Sequence, residues 1–189
     1  MLFREIILDT DICIKLGCSE KYPYLKSIIP ILGETVYIHR YVYEHEILDP
    51  KSAKDQIDDL LATDKLKIVD TSNFSDVETR LYQETIQHLN RFMGDKNNPR
   101  KNQGEVVSLA YAKVRSIPIF ATDERNLQSI IDIALNTGLS DIRCIRIIDI
   151  IKNIKAGSLP DLRRKDAKLL WRLSGKCIDE FDRKIWPIE

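Results

Sequence analysis

Short apolar runs alternate with longer amphipathic stretches along this chain, and that alternation most narrows what it can fold into. Arg4–Leu8, Thr35–Ile38, Leu66–Val69, Ile117–Ala121 and Ile142–Ile148 are strand-sized and rich in β-branched residues. Pro118 is tolerable only because it falls at the start of its run. Helical patterns lie between the runs. Ser52–Leu61 sets Ile57, Leu60 and Leu61 on one side. Ser75–Met93 carries Tyr82, Ile86, Leu89 and Met93 at helical spacing, and Ser75 with Glu78 makes a capping-box signature. Gly104–Arg115 and Glu124–Thr137 follow, with Gly138 as a stop. Ser158, Pro160 and Asp161 have the residue types of a helix start, so C-terminal helices are expected from about residue 159, interrupted at Gly175. Strands joined by helices pair in parallel and need cover on both faces. The pattern therefore predicts an α/β fold, with a central, mostly parallel sheet of about five strands covered by helices on both faces.

The chain is long enough for one medium domain, and residues 1–189 read as a single one. Lys plus Arg and Asp plus Glu are both 29, which excludes a strongly basic protein; a polyanion would need a local basic patch or a bound cation. No apolar stretch approaches the roughly 18 residues of a membrane span. The N-terminal run contains Glu5 and is too short for a secretory signal, so it reads as a first strand. Cys13, Cys18, Cys144 and Cys177 have no paired spacing and His39, His45 and His88 are scattered, so no zinc pattern is present. The thiols read as buried and reduced, in a cytoplasmic protein. Residues 94–103 form a polar stretch, read as an exposed loop within the domain.

In open parallel sheets, ligands gather beyond the carboxyl ends of the strands. The first strand ends in Asp9-Thr10-Asp11 and the fourth in Thr122-Asp123-Glu124. If those strands are neighbours, Asp9 and Asp123 meet at one sheet edge, where their repulsion needs a raised pKa, a nearby lysine or arginine, or a bound cation. Oxygen ligands without histidine or cysteine suit Mg²⁺ or Mn²⁺. Each of these aspartates could equally cap a turn. Glu105 falls in the first turn of its helix, where the dipole alone would favour an acid. Val42 and Glu46 share a helical face, whereas Glu44 lies on another and could equally be the inward acid.

These residues, in this order, resemble the PIN-domain nucleases, small metal-dependent ribonucleases that include many bacterial toxins. Ile6-Ile7-Leu8-Asp9-Thr10-Asp11 is similar to the family's opening strand and first acid. Glu46, after Val42, is similar to the second acid, with Glu44 as the other candidate. Gly104-Glu105-Val106-Val107-Ser108-Leu109-Ala110 is similar to the Gly-Glu helix opening, and Phe120-Ala121-Thr122-Asp123-Glu124-Arg125 to the last strand-end acid. The resemblance spans nearly the whole chain, although no one motif is specific, and the 94–103 loop is longer than a minimal member needs. It implies a PIN-like three-layer sandwich. It also implies hydrolysis of RNA phosphodiesters by Asp9, Glu46, Glu105 and Asp123, with Asp9, Glu105 and Asp123 holding Mg²⁺ or Mn²⁺. Thr10, Asp11, Thr122 and Glu124 would support the site. Lys96, Arg100 and Lys101 become the first candidates for phosphate contacts and Arg163-Arg164-Lys165 the second. An antitoxin protein and a second copy of the chain are partners that the resemblance suggests. Two other readings compete. One is a PIN-like module that binds RNA or protein without cutting. The other is a haloacid-dehalogenase-type phosphatase with Asp9 as nucleophile and Asp11 as acid, although Ile12-Cys13 stands where that family needs Gly-Thr.

Overall fold

A computed structural model describes residues 2–187 apart from Lys96, Pro99 and Leu139. Five strands form one sheet: β1 (Phe3–Leu8), β2 (Gly33–His39), β3 (Lys67–Val69), β4 (Ile119–Ala121) and β5 (Arg143–Ile145). Their order is β3-β2-β1-β4-β5, and every pairing is parallel. The sheet is thus wholly parallel rather than mostly so. β1 is central, with Leu8 aligned to Ile38 on one side and to Ala121 on the other. Its Ile6, Ile7 and Leu8 are fully buried, as expected of a strand covered on both faces.

The helices are α1 (Thr10–Gly17), α2 (Tyr24–Leu32), α3 (Lys51–Ala62), α4 (Asp76–Met93), α5 (Gln103–Val114), α6 (Leu127–Ala134), α7 (Ile147–Lys155), α8 (Arg164–Leu173) and the single turn α9 (Ile178–Glu180). Strand alternation divides them into two layers. Ile6 and Leu8 pack with Leu16, Ile28, Ile57, Ile150 and Leu170, from α1, α2, α3, α7 and α8. Ile7 and Phe120 pack on the other face with Leu89, Leu109 and Ile131, from α4, α5 and α6. The result is a three-layer sandwich with one apolar cluster on each side of the sheet. Each fully buried Ile or Leu in these clusters contributes about 1.5–3 kcal/mol.

Several local expectations agree with the structure. Ser75 and Glu78 form the capping box of α4, with Ser75 N donating to Glu78 at 2.8 Å. Leu170 and Trp171 are buried, and Leu169 and Leu173 pack against the same core. Gly175, at φ +76°, follows the end of α8. Others are corrected. Strand β5 stops at Ile145, and Ile147 and Ile148 open α7. Ile147, Ile150, Ile151 and Ile154 recur at helical spacing, and this overrides the β-branched composition. The last long helix begins at Arg164 rather than near 159. Arg163 N donates to Asp166 at 2.9 Å there, so the Ser158–Asp161 segment is a turn leading to that start. Helix α6 begins at Leu127 and leaves Glu124 in the exposed turn after β4. Helices α1 and α2 have no counterpart in the sequence reading. Cys13 is buried as expected, but Cys177 is exposed; all four thiols are free. No helix among the described residues is long and apolar enough to cross a membrane.

Candidate active site at the carboxyl edge

The strand order reverses between β1 and β4: the chain builds outward from β1 to β3, then returns to place β4 on the other side. Loops after β1 and β4 therefore diverge to opposite faces and leave a crevice at the carboxyl edge, the usual ligand site of an open parallel sheet. Both candidate strand-end acids lie on this edge.

Asp9 is the N-cap of α1. Its Oδ1 accepts from Thr10 N at 2.7 Å and its Oδ2 from the Thr122 hydroxyl at 2.8 Å. Thr122 is itself held, its Oγ1 accepting from Glu124 N at 3.2 Å. Strand pairing thus sets the aspartate's orientation. Only 1% of Asp9 is exposed. Burial pushes its carboxyl well above the usual carboxylate range, and the neighbouring Glu105 pushes it further.

Glu46 arrives by a different route. After β2, Val42–Glu46 forms a single π-helical turn closed by Ile47 N donating to Val42 O at 3.1 Å. The wide turn buries Val42 and directs Glu46 inward. Glu46 Oε1 accepts from Gly104 N at 2.9 Å, and Oε2 accepts from the Thr10 hydroxyl. The carboxylate thus caps the first turn of α5, where the helix dipole favours an anion. A Cβ built on Gly104 would overlap that carboxylate, so any larger residue there must displace the Glu46 side-chain end from the α5 terminus. Glu44, the other candidate, is exposed and pairs with Arg40 at 3.2 Å. The ambiguity between the two is resolved in favour of Glu46 as the inward acid.

Glu105 follows Gly104 in the first turn of α5 and is half-buried. Burial raises its pKa, and Glu46, Glu124 and Asp11 raise it further. Among the described residues, no lysine, arginine or histidine lies within 4 Å of the Asp9, Glu46 or Glu105 carboxylates. No three acids among those residues converge tightly enough to form a ready-made metal site.

Asp123 has the opposite surroundings. Its Oδ2 pairs with Lys15 at 2.9 Å and with Lys176, and its Oδ1 accepts from Ile147 N at 3.2 Å. Burial alone would push this carboxyl up, but Lys176 and Lys15 together hold it below the usual range. Lys15 also pairs with Asp11 at 2.8 Å, so it bridges Asp11 and Asp123 beside Asp9 and Glu105. Neither lysine was singled out from the sequence. Lys15 had a signal, four residues after Asp11 on one helix face. Lys176 had none, because 53 positions separate it from its partner.

The basic residues of the sequence reading divide. Arg100 lines a cavity of about 490 Å³ with Tyr41, His45 and Glu46. Lys101 is exposed and pairs with Asp95 at 3.5 Å. Lys96 lies outside the described residues. Arg164 is taken up by Asp182 at 2.6 Å and the Trp186 carbonyl. No family model, curated protein or solved structure matches this chain.

Proposed function

We propose that this protein is a divalent-metal-dependent ribonuclease of the PIN type, hydrolysing RNA phosphodiester bonds at the carboxyl edge of β1 and β4. The observation that carries the reading is the group of Asp9, Glu105 and Glu46 at the strand-order reversal, with raised pKa values for the first two and no cation beside any of them among the described residues. Like charges that raise one another's pKa in a partly desolvated setting work against the fold when ionised. A fold that needed only turn caps would gain nothing from this.

The all-oxygen donor set fits Mg²⁺ or Mn²⁺. Asp9 and Glu105 would hold the ion. When bound, it supplies the positive charge that these carboxylates lack, polarises a phosphoryl oxygen and makes water a better nucleophile. Thr122 and the Thr10 amide keep Asp9 in one orientation. Glu46 ties the α5 terminus to α1 through Gly104 and Thr10, so it positions Glu105 relative to Asp9. Asp123 holds Lys15 and Lys176 at the rim, where their ammonium groups can meet phosphate oxygens.

The test is cleavage of labelled single-stranded and hairpin RNAs with Mn²⁺, with Mg²⁺ and with EDTA, comparing wild type with Asp9→Asn. Cutting that requires metal and disappears in the variant is the expected result. Cutting that survives in Asp9→Asn would assign it to a contaminant or another site. No cutting by a folded sample whose melting temperature ignores Mn²⁺ would favour a module that binds without cutting.

A further inference from the structure

The acids of the crevice repel the polyanion they are proposed to cut, so other groups must bring the substrate in. The 94–103 loop was the first candidate, but a better one adjoins Asp123. A cavity of about 200 Å³ lies there, lined by Arg125, Arg146, Lys176, Trp171 and Glu180 among others. Arg125 and Arg146 also line a second cavity of about 300 Å³. The two arginines therefore stand between adjoining hollows at the carboxyl ends of β4 and β5.

Arg125 and Arg146 are set apart by lining both hollows. Arg146 and Arg164 are the half-buried arginines of the chain. Arg164 has Asp182 at 2.6 Å, whereas the Arg146 guanidinium has no carboxylate within 4 Å among the described residues; Asp149 accepts from the Arg146 backbone N at 3.1 Å. Arg125 likewise has none among them. By contrast, the cavity of about 420 Å³ near β3 has its guanidinium groups neutralised, Arg40 by Asp70 and Arg115 by Glu78. Arg146 is half-buried and Arg125 exposed beside it, so an anion seated between them would meet one partly shielded and one solvated guanidinium. The planar guanidinium fork is also the best protein donor for phosphate oxygens.

Two further features point the same way. Lys176 lies 5.2 Å from the Trp171 ring centroid and pairs with Asp123, which fixes it on the cavity wall. The amide of Ile147, the first residue of the nine-residue α7, donates to Asp123, so that helix presents its positive end at the same place. Asp123 is already offset by its two lysines. Glu180 is the remaining acid in the smaller cavity; Glu124, Asp132 and Asp149 lie in the larger one.

We propose that Arg125, Arg146 and Lys176 form a phosphate subsite that seats an RNA-backbone phosphate beside the bond to be cut. This rests on the nuclease reading, since it takes the acids as the cutting centre. A terminal 5′-phosphate would offer similar oxygens, and the test separates the two.

The test is fluorescence anisotropy of a single-stranded RNA 12-mer, made with a 5′-hydroxyl or a 5′-phosphate, over a salt series in EDTA. The proteins are wild type, Arg125→Ala/Arg146→Ala, Arg125→Lys/Arg146→Lys, and Arg80→Ala as an exposed control on α4. Single-turnover cutting in Mn²⁺ is measured alongside, and unchanged thermal unfolding shows that each variant is folded. The double alanine variant should bind the 5′-hydroxyl RNA about tenfold more weakly, with a salt slope lower by roughly 1. The double lysine variant should retain most of the slope, and Arg80→Ala should match wild type. In cutting, half-saturation should rise with little change in the maximal rate. Unchanged affinity and slope in the double alanine variant overturn the subsite, even where metal-dependent cutting is intact. A loss confined to the 5′-phosphorylated RNA overturns the backbone assignment. The predicted loss of binding without any metal-dependent cutting supports the subsite while the nuclease reading fails. Wild type that neither binds nor cuts RNA overturns both.

Discussion

Asp9 and Asp123 close neighbouring strands, and their surroundings could hardly differ more. Asp9 is buried beside Glu105, with hydroxyl and amide donors but no cation among the described residues, and its pKa goes up. Asp123 is nearly as buried, yet Lys15 and Lys176 reverse the effect and its pKa goes down. One side carries its counter-charges within the chain; the other has none among the described residues and holds its protons to higher pH. Burial therefore does not decide what a carboxylate does. The sign of its neighbours does.

The comparison breaks first at activity. Asp9→Asn should reduce metal-dependent RNA cutting by about a thousandfold, or roughly 4 kcal/mol of barrier, in single-turnover assays. Equal loss in Lys15→Met would show that the two sides do not differ as argued. Asp123→Asn should cost stability instead, about 3 kcal/mol in urea unfolding, because it leaves the partly buried Lys176 ammonium without its anion, while Lys15 keeps Asp11. Gly104→Ala should change stability by no more than about 1 kcal/mol, because the methyl displaces the flexible end of Glu46 from Gly104 N while alanine favours the helix. Its apparent Mn²⁺ affinity should fall, read as a smaller melting shift at fixed metal.

The pH dependence sharpens the same contrast. Asp9 and Glu105 have folded pKa values above the ordinary 3.8 and 4.5, so their contribution favours the fold at low pH and fades as pH rises through the raised values. Asp123 lies below 3.8, so its contribution is present above that pH and is lost as pH falls through the depressed value. Urea midpoints of the metal-free protein should therefore decline above about pH 4 for wild type, less steeply for Asp9→Asn, and less again with saturating Mn²⁺. Asp123→Asn should flatten only the acid limb. The smallest effect belongs to Glu44→Gln, within about 0.5 kcal/mol of wild type in stability and unchanged in cutting, because Glu44 forms only an exposed pair with Arg40. Glu46→Gln should lower both.

Much of the architecture was legible because repeating patterns report burial. The five strand runs, the α4 capping box and the α/β alternation are local signals that the tertiary structure keeps. Boundaries were read poorly where composition and period conflict. Ile142–Ile148 is rich in isoleucine, yet Ile147 begins the periodic face of α7. Glu46 and Glu44 could not be separated by spacing, because a π-helical turn does not follow the 3.6-residue period.

The sequence by itself determined an α/β sheet with acids at the ends of its first and fourth runs. Those depend on apolar period and on which residue follows a strand, both local properties of the chain. Only the tertiary structure decided which acids receive a counter-charge. Lys176 reaches Asp123 across 53 positions, Thr122 orients Asp9 across 113, and Glu46 caps a helix 58 positions away. Electrostatic free energy depends on distance and burial in space, and neither can be read from separation along the chain.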